Sequence, residues 1–182
     1  MDFISLIQRL FMLRHQHTLL FAITVLSSTT LWSDDLELND PLRRAISPVI
    51  HDVEAAVLRK PHRPFDTFLA DDAVFEESDS PLRAHLERKT TKNKEFPATS
   101  SLHWLRLSDS TLAPLFQRGY PQMDPKQTIM VYREIERKKK QLKAYGYLLC
   151  LKDGKWKVVL HFDGSGPIDG LAKNSRPFTP VD

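Results

Sequence analysis

The sequence predicts an α+β domain in which N-terminal helices pack on a curved antiparallel β-sheet, and three observations carry that prediction. All 6 glycines stand at or after Gly119, so the earlier part of the chain lacks the residue best suited to tight turns of positive φ. In that earlier part, apolar residues recur at helical spacing and prolines directly follow capping residues, the pattern of helix starts. After residue 100 the runs "SSLHWLRL", "QTIMVYREIE", "LKAYGYLLCL" and "KWKVVLHF" are rich in β-branched and aromatic residues. Helices first and a meander second point to helices on one face of a sheet.

Residues 1–33 read as an address. Arg9 and Arg14 precede the apolar run "TLLFAITVL", and the small polar "SSTT" follows, which is the order of a secretory signal. A start at Met12 makes that signal more compact. The alternative is a single uncleaved anchor, in which Leu31 and Trp32 extend the apolar run toward the ~20 residues a spanning helix needs. The protein is therefore expected to be exported, periplasmic or secreted, or else anchored. Any membrane contact would come only through this segment. Residues 34–165 form the domain and 166–182 a tail that crosses the surface or frays.

In "NDPLRRAISPVIHDVEAAVLRKP", Asp40 and Ser47 are each capping residues followed by proline, which predicts two helix starts. From Pro48, Val49, Ile50, Val53, Ala56 and Val57 fall on one helical face; Arg59 and Lys60 suit its negative end, and Pro61 stops it. "PHRPFDTFLADDAVFEES" predicts a proline-bounded linker, a helical turn with Phe65, Phe68 and Leu69, and an extended piece at Val74 and Phe75. "SPLRAHLERKT" predicts a short helix capped by Ser80.

The last two strands are joined by Asp153-Gly154, a pair suited to a type I′ hairpin turn. Counting from that turn pairs Lys152 with Lys155, Leu149 with Val158, Tyr147 with Leu160 and Tyr145 with Phe162. This makes Trp156, Val158, Leu160 and Phe162 core, and leaves Cys150, His161 and Asp163 on a mixed face. A turn at Lys139-Lys140 opposes Glu136 to Lys143, Tyr132 to Tyr147 and Glu134 to Tyr145, which puts Tyr132 and Glu134 on the core face.

"FDTFLADDAVFEE" after an N-terminal helix and "DGKWKVVLHFDGS" as the last strand resemble the nuclear-transport-factor-2-like, polyketide-cyclase-like superfamily over residues 41–165. The resemblance implies a cystatin-like cone of curved sheet wrapped on helices, an apolar ligand pocket and frequent dimerisation through the sheet. It also implies a hairpin after "DAVF", where this chain runs through "EESDSPLRAHLERK" toward a helix. Only the fold markers carry over; no catalytic motif of any subfamily is present.

Composition narrows the function classes. Lys plus Arg number 26 against 23 Asp plus Glu, too even to call for a nucleic-acid partner. Removing residues 1–33 takes Arg9, Arg14 and Asp2 with it and leaves a nearly neutral body. One cysteine excludes an internal disulfide and a multi-cysteine zinc site, and no metal, cofactor or nucleotide motif is present.

The best chemical candidate is Glu134 beside Tyr132 and Tyr147, because an acid among aromatic walls has its pKa raised and can move a proton. Asp66, with Asp71 and Asp72, forms a second acidic corner, and Trp104, Tyr132 and Tyr147 are the candidate ligand contacts. A His161/Asp163 dyad and Cys150 are further candidates, each weighed against packing and solvation. Together these observations favour a non-catalytic binding or assembly module with a pocket for a small hydrophobic ligand, no cofactor, and a homodimer through the sheet. The alternatives are a cofactor-independent isomerase, dehydratase or cyclase using a pocket carboxylate, and a periplasmic component of a secretion assembly.

Overall fold

Helix α1 spans Asp40–Val57 without a break at Pro48, where two helix starts were expected. Proline removes one backbone donor from the ladder. Beside it, Ser47 Oγ donates to the carbonyl of Arg43 at 2.7 Å, and the apolar stripe Ile46, Val49, Ile50, Val53, Ala56 and Val57 is buried along its length. Each fully buried Ile or Val contributes about 1.5–3 kcal/mol, enough to hold one continuous helix across the proline. The helix ends with Arg59 at φ 59° and with Lys60 N–H donating to Ala55 O at 2.8 Å, the bond that closes a Schellman turn.

The computed structural model describes residues 40–76, 79–88, 95–138, 141–167 and 173–181. The signal or anchor expected over residues 1–33 lies outside the described residues, as does the Lys139-Lys140 corner. After α1 come a single 3₁₀ turn at Phe65–Thr67, strand β1 (Leu69–Phe75), strand β2 (Ser80–Pro81) and helix α2 (Leu82–Arg88). Strand β3 (Ser101–Arg106), a 3₁₀ turn at Leu107–Asp109 and helix α3 (Ala113–Gly119) precede the long strands β4 (Thr128–Lys138), β5 (Gln141–Lys152) and β6 (Lys155–Pro167). Strand β7 (Arg176–Pro177) lies in the tail.

The strands form one seven-stranded open sheet in the order β2-β1-β6-β5-β4-β3-β7, and the protein is α+β. The sheet is mixed: β1 runs parallel to β6, where an antiparallel sheet was expected. β1 and β2 do pair as an antiparallel hairpin, reduced to Val74↔Pro81 and Phe75↔Ser80. The tail is docked and does not run free. Phe178 is buried, its N–H donates to Leu102 O at 2.9 Å, and β7 covers the edge of β3. Val181 N–H reaches Ser47 Oγ on α1 at 3.1 Å.

Register follows the turns until two bulges intervene. Asp153 and Gly154 take φ 50° and 73°, and Lys152↔Lys155, Leu151↔Trp156, Cys150↔Lys157 and Leu149↔Val158 pair as the turn dictates. A β-bulge then follows, and the next pairs are Leu148↔Leu160, Tyr147↔His161, Gly146↔Phe162 and Tyr145↔Asp163. An extra residue, Val159, opposes none, so every later side chain of β6 changes face. Likewise Glu136↔Lys143 pairs as expected, but a shift at Ile135 sets Glu134 against Ala144 and Tyr132 against Gly146.

These shifts define two faces. Arg133, Tyr145, Tyr147, Leu149, Val158, His161 and Asp163 share the face under α1, where Arg133 binds Glu54 of the helix; we call this the inner face. Tyr132, Glu134, Gly146, Leu148, Cys150, Leu160 and Phe162 share the opposite face. Leu160 and Phe162, expected beside Val158, are core residues of this opposite face. Met130, Leu148 and Leu160 are fully buried within one chain, so the opposite face has an apolar layer already covered without a second copy.

Candidate functional site

Under α1 the inner face gathers a cluster of aromatic and titratable side chains. His161 is fully buried and stacks on Tyr147 at 5.0 Å and on Tyr145 at 6.0 Å, with Phe75 at 5.3 Å. His85, from α2, stacks on Phe75 at 3.6 Å and lies 6.4 Å from His161. His161 Nδ1 is 3.0 Å from the carbonyl of Gly146; a carbonyl only accepts, so Nδ1 carries the proton. The expected dyad of His161 and Asp163 thus moves from the mixed face to the inner face, with His161 in the core and Asp163 partly exposed, because the bulge at Val159 turns both residues over.

An ion pair borders this cluster. Arg133 grips Glu54 with two bonds of 2.7 and 2.8 Å, reaches Ser100 Oγ at 3.2 Å, and lies 4.6 Å over the ring of Phe96. Tyr145 is hydrogen-bonded to Asp163, and burial, then that carboxylate, raise its pKa. Tyr147 is enclosed completely; burial first, then Glu54, hold its pKa well above the usual phenol range, against the opposing pull of Arg133. Its hydroxyl has no hydrogen-bond partner among the described residues. The cluster meets solvent at Tyr145 and Phe96, both partly exposed, with their rings 5.7 Å apart.

The structure divides the other candidates. Trp104 pairs with Val131 and is on the inner face with Tyr147. Tyr132 and Glu134 are on the opposite face, so the proposed set of Glu134, Tyr132 and Tyr147 is split by the sheet. There His103 stacks on Tyr132 at 5.3 Å, and Tyr132 donates to Ser175 Oγ at 2.7 Å. Ser101 Oγ and a Glu134 oxygen meet His103 at the same nitrogen, Nε2, at 2.9 and 3.7 Å. A nucleophile relay needs one partner at each ring nitrogen, and this arrangement is not one.

Asp66 is exposed and bound to Arg83 at 2.8 Å. Its own backbone hydrogen bond, then Arg83, lower its pKa, the reverse of what a general acid needs. Asp71 is exposed, and Asp72 is exposed near Lys152 at 3.9 Å. Among the described residues no group of three or more His, Cys, Asp and Glu side chains is placed to hold a metal, and no helix is long and apolar enough to cross a membrane.

A shallow cleft of about 130 Å³ opens on the opposite face between Tyr120, Met123, Thr128, Cys150 and Lys152, below the ~300 Å³ usual for ligand pockets. Thr128 donates its one hydroxyl proton to Asp124 O at 2.7 Å, so at the 3.1 Å contact Cys150 supplies the proton. Burial raises the thiol pKa, which outweighs the Thr128 contact, so the thiol is protonated at neutral pH and inert. Alkylation by iodoacetamide at pH 7 is expected to be roughly tenfold or more slower in the folded than in the denatured protein. Equal rates would show the thiol to be accessible and ionised.

Comparison with known protein families, with curated proteins and with solved structures gives no match for the chain.

Proposed function

We propose that the protein is an exported binding module of the nuclear-transport-factor-2-like kind, and that it holds a small ligand on the inner face, between α1 and the sheet. The observation that carries this reading is the cluster around Tyr147 and His161: aromatic walls, an ion pair and a buried hydroxyl under one helix, side-chain types that small-molecule sites use. The strand order, with a β1–β2 hairpin present as a stub, supports the cone-like arrangement that the residue motifs imply. The reading needs neither a cofactor nor a dimer.

A cofactor-independent enzyme is the second reading, and one observation favours it. The carboxylate that the inner face offers is Asp163, held by Tyr145 beside His161, in place of Glu134 or Asp66.

Titration of the full-length protein with ethylbenzene, followed by NMR, tests the binding reading. Saturable shifts confined to Tyr145, Tyr147, Phe96 and His161 are expected; shifts scattered over the surface, or none, would contradict it. Export is tested separately by the intact mass of protein from its native cells, which is expected to lack the residues preceding 29–33. An N-terminus at Met1 or Met12 would instead indicate a retained anchor.

A further inference from the structure

We infer that the edge of β3 is a docking site for an extended peptide segment with phenylalanine between prolines, and that residues 173–181 occupy this site from within the chain. β7 lies antiparallel to β3 with His103↔Pro177 and Trp104↔Arg176. The Phe178 N–H carries the pairing one residue further, to Leu102 O at 2.9 Å. Leu102 pairs with Arg133 of the inner face, so Phe178 enters the core beside it and is 5% exposed. Polar bonds hold the flanks: Asn174 Nδ2 donates to Asp109 O at 2.5 Å, Tyr132 Oη to Ser175 Oγ at 2.7 Å, and Val181 N–H to Ser47 Oγ at 3.1 Å.

A sheet edge takes a strand from another chain in this same way: main-chain bonds along the edge supply affinity, and a pocket for one side chain supplies selectivity. Here the pocket belongs to Phe178, because no other residue of 173–181 is buried. The hold is short. β7 pairs with two of the six residues of β3, against strands of about five to six residues in ordinary sheets. A segment with so few buried contacts opens at lower cost than the core. Once it lifts, β3 presents unpaired amides and carbonyls, the template on which a further strand adds. The prolines define the occupant. Pro177 and Pro180 flank Phe178, and each fixes its own φ, so less freedom is lost on docking. The Phe178 N–H points at β3, so the Pro177 nitrogen beside it points outward. That proline therefore costs no bond to β3 and offers no donor to a strand beyond. A partner segment that supplies Pro-Phe-x-Pro in extended form meets the same bonds and the same pocket.

The probe is a fluorescein-labelled peptide of residues 173–181, with a second peptide carrying alanine in place of its phenylalanine. Both are used with the full-length protein and its Phe178→Ala variant. The variant is expected to bind the first peptide saturably, with NMR shifts at Ser47, Leu102 and Trp104. The wild type should bind it about a hundredfold more weakly, because its own segment competes at the roughly millimolar effective concentration of a tethered strand. The alanine peptide should bind neither protein. A variant with a dispersed, folded spectrum that fails to bind the first peptide would overturn the inference. So would equal binding of the two peptides, or equal affinity of wild type and variant. Hydrogen exchange in the wild type decides the matter even if the variant does not fold. The Phe178 amide is expected to exchange at least about a hundredfold faster than the amides of β5. Equal protection would mean that the segment leaves only on global unfolding, and that no partner could take its place.

Discussion

Gly146→Ala is expected to destabilise the protein by about 3 kcal/mol, at the upper end of what overpacking a core costs. A Cβ added at Gly146 would fall inside the ring of Phe162. That ring is 2% exposed, with no solvent to retreat into. Glycine stands in mid-strand here because a neighbouring ring needs the room. The contact exists only because the bulge at Val159 sets Phe162 opposite Gly146. Pairing Gly146→Ala with Phe162→Leu should recover part of the loss, a coupling of about 1–3 kcal/mol in a double-mutant cycle read by urea unfolding. A neutral Gly146→Ala, or strictly additive effects, would mean that the two residues do not meet.

Glu54→Ala is expected to cost about 3 kcal/mol, the lower end for breaking a buried pair, because it leaves the largely enclosed Arg133 without its counter-charge. The two side chains are 14% and 16% exposed and joined by two bonds, far from the surface pairs that contribute little. The same pair ties α1 to β4 and closes one wall of the inner-face cluster. Thermal unfolding should therefore show a large loss for Glu54→Ala and a smaller one for the double replacement Glu54→Gln with Arg133→Met, which leaves no bare charge. Equal losses in the two would show that packing alone, and not the charge, holds α1 in place.

Much of the fold is legible in local chemistry, and most of what is not legible traces to two strand shifts. Asp153-Gly154 sets four pairs correctly because a type I′ turn admits one register. Beyond them, Val158-Val159-Leu160 is a run of three apolar residues in a strand buried on both faces, and such a strand shows no alternation from which to read its facing. A bulge inside that run leaves no mark except the lost alternation itself, and that is the one signal by which His161 could have been placed inside. At Ile135 even this is missing, since Glu134-Ile135-Glu136 alternates as a regular strand would. The two shifts account for the separation of Glu134 and Tyr132 from Tyr147 and for the arrival of His161 and Asp163 beside it. Pro48 misleads for a different reason: a capping serine followed by proline carries the local signal of a helix start, and the buried stripe on α1 overrides it.

Cross-strand NOEs between β5 and β6 test the central claim most directly, because the inner-face site exists only if the strand shifts at Val159. Contacts pairing Tyr147 with His161 and Tyr145 with Asp163 are expected, together with ring contacts from Phe162 to Gly146. Contacts pairing Tyr147 with Leu160 and Tyr145 with Phe162 would put His161 and Asp163 back on the opposite face, and the site with them would be gone.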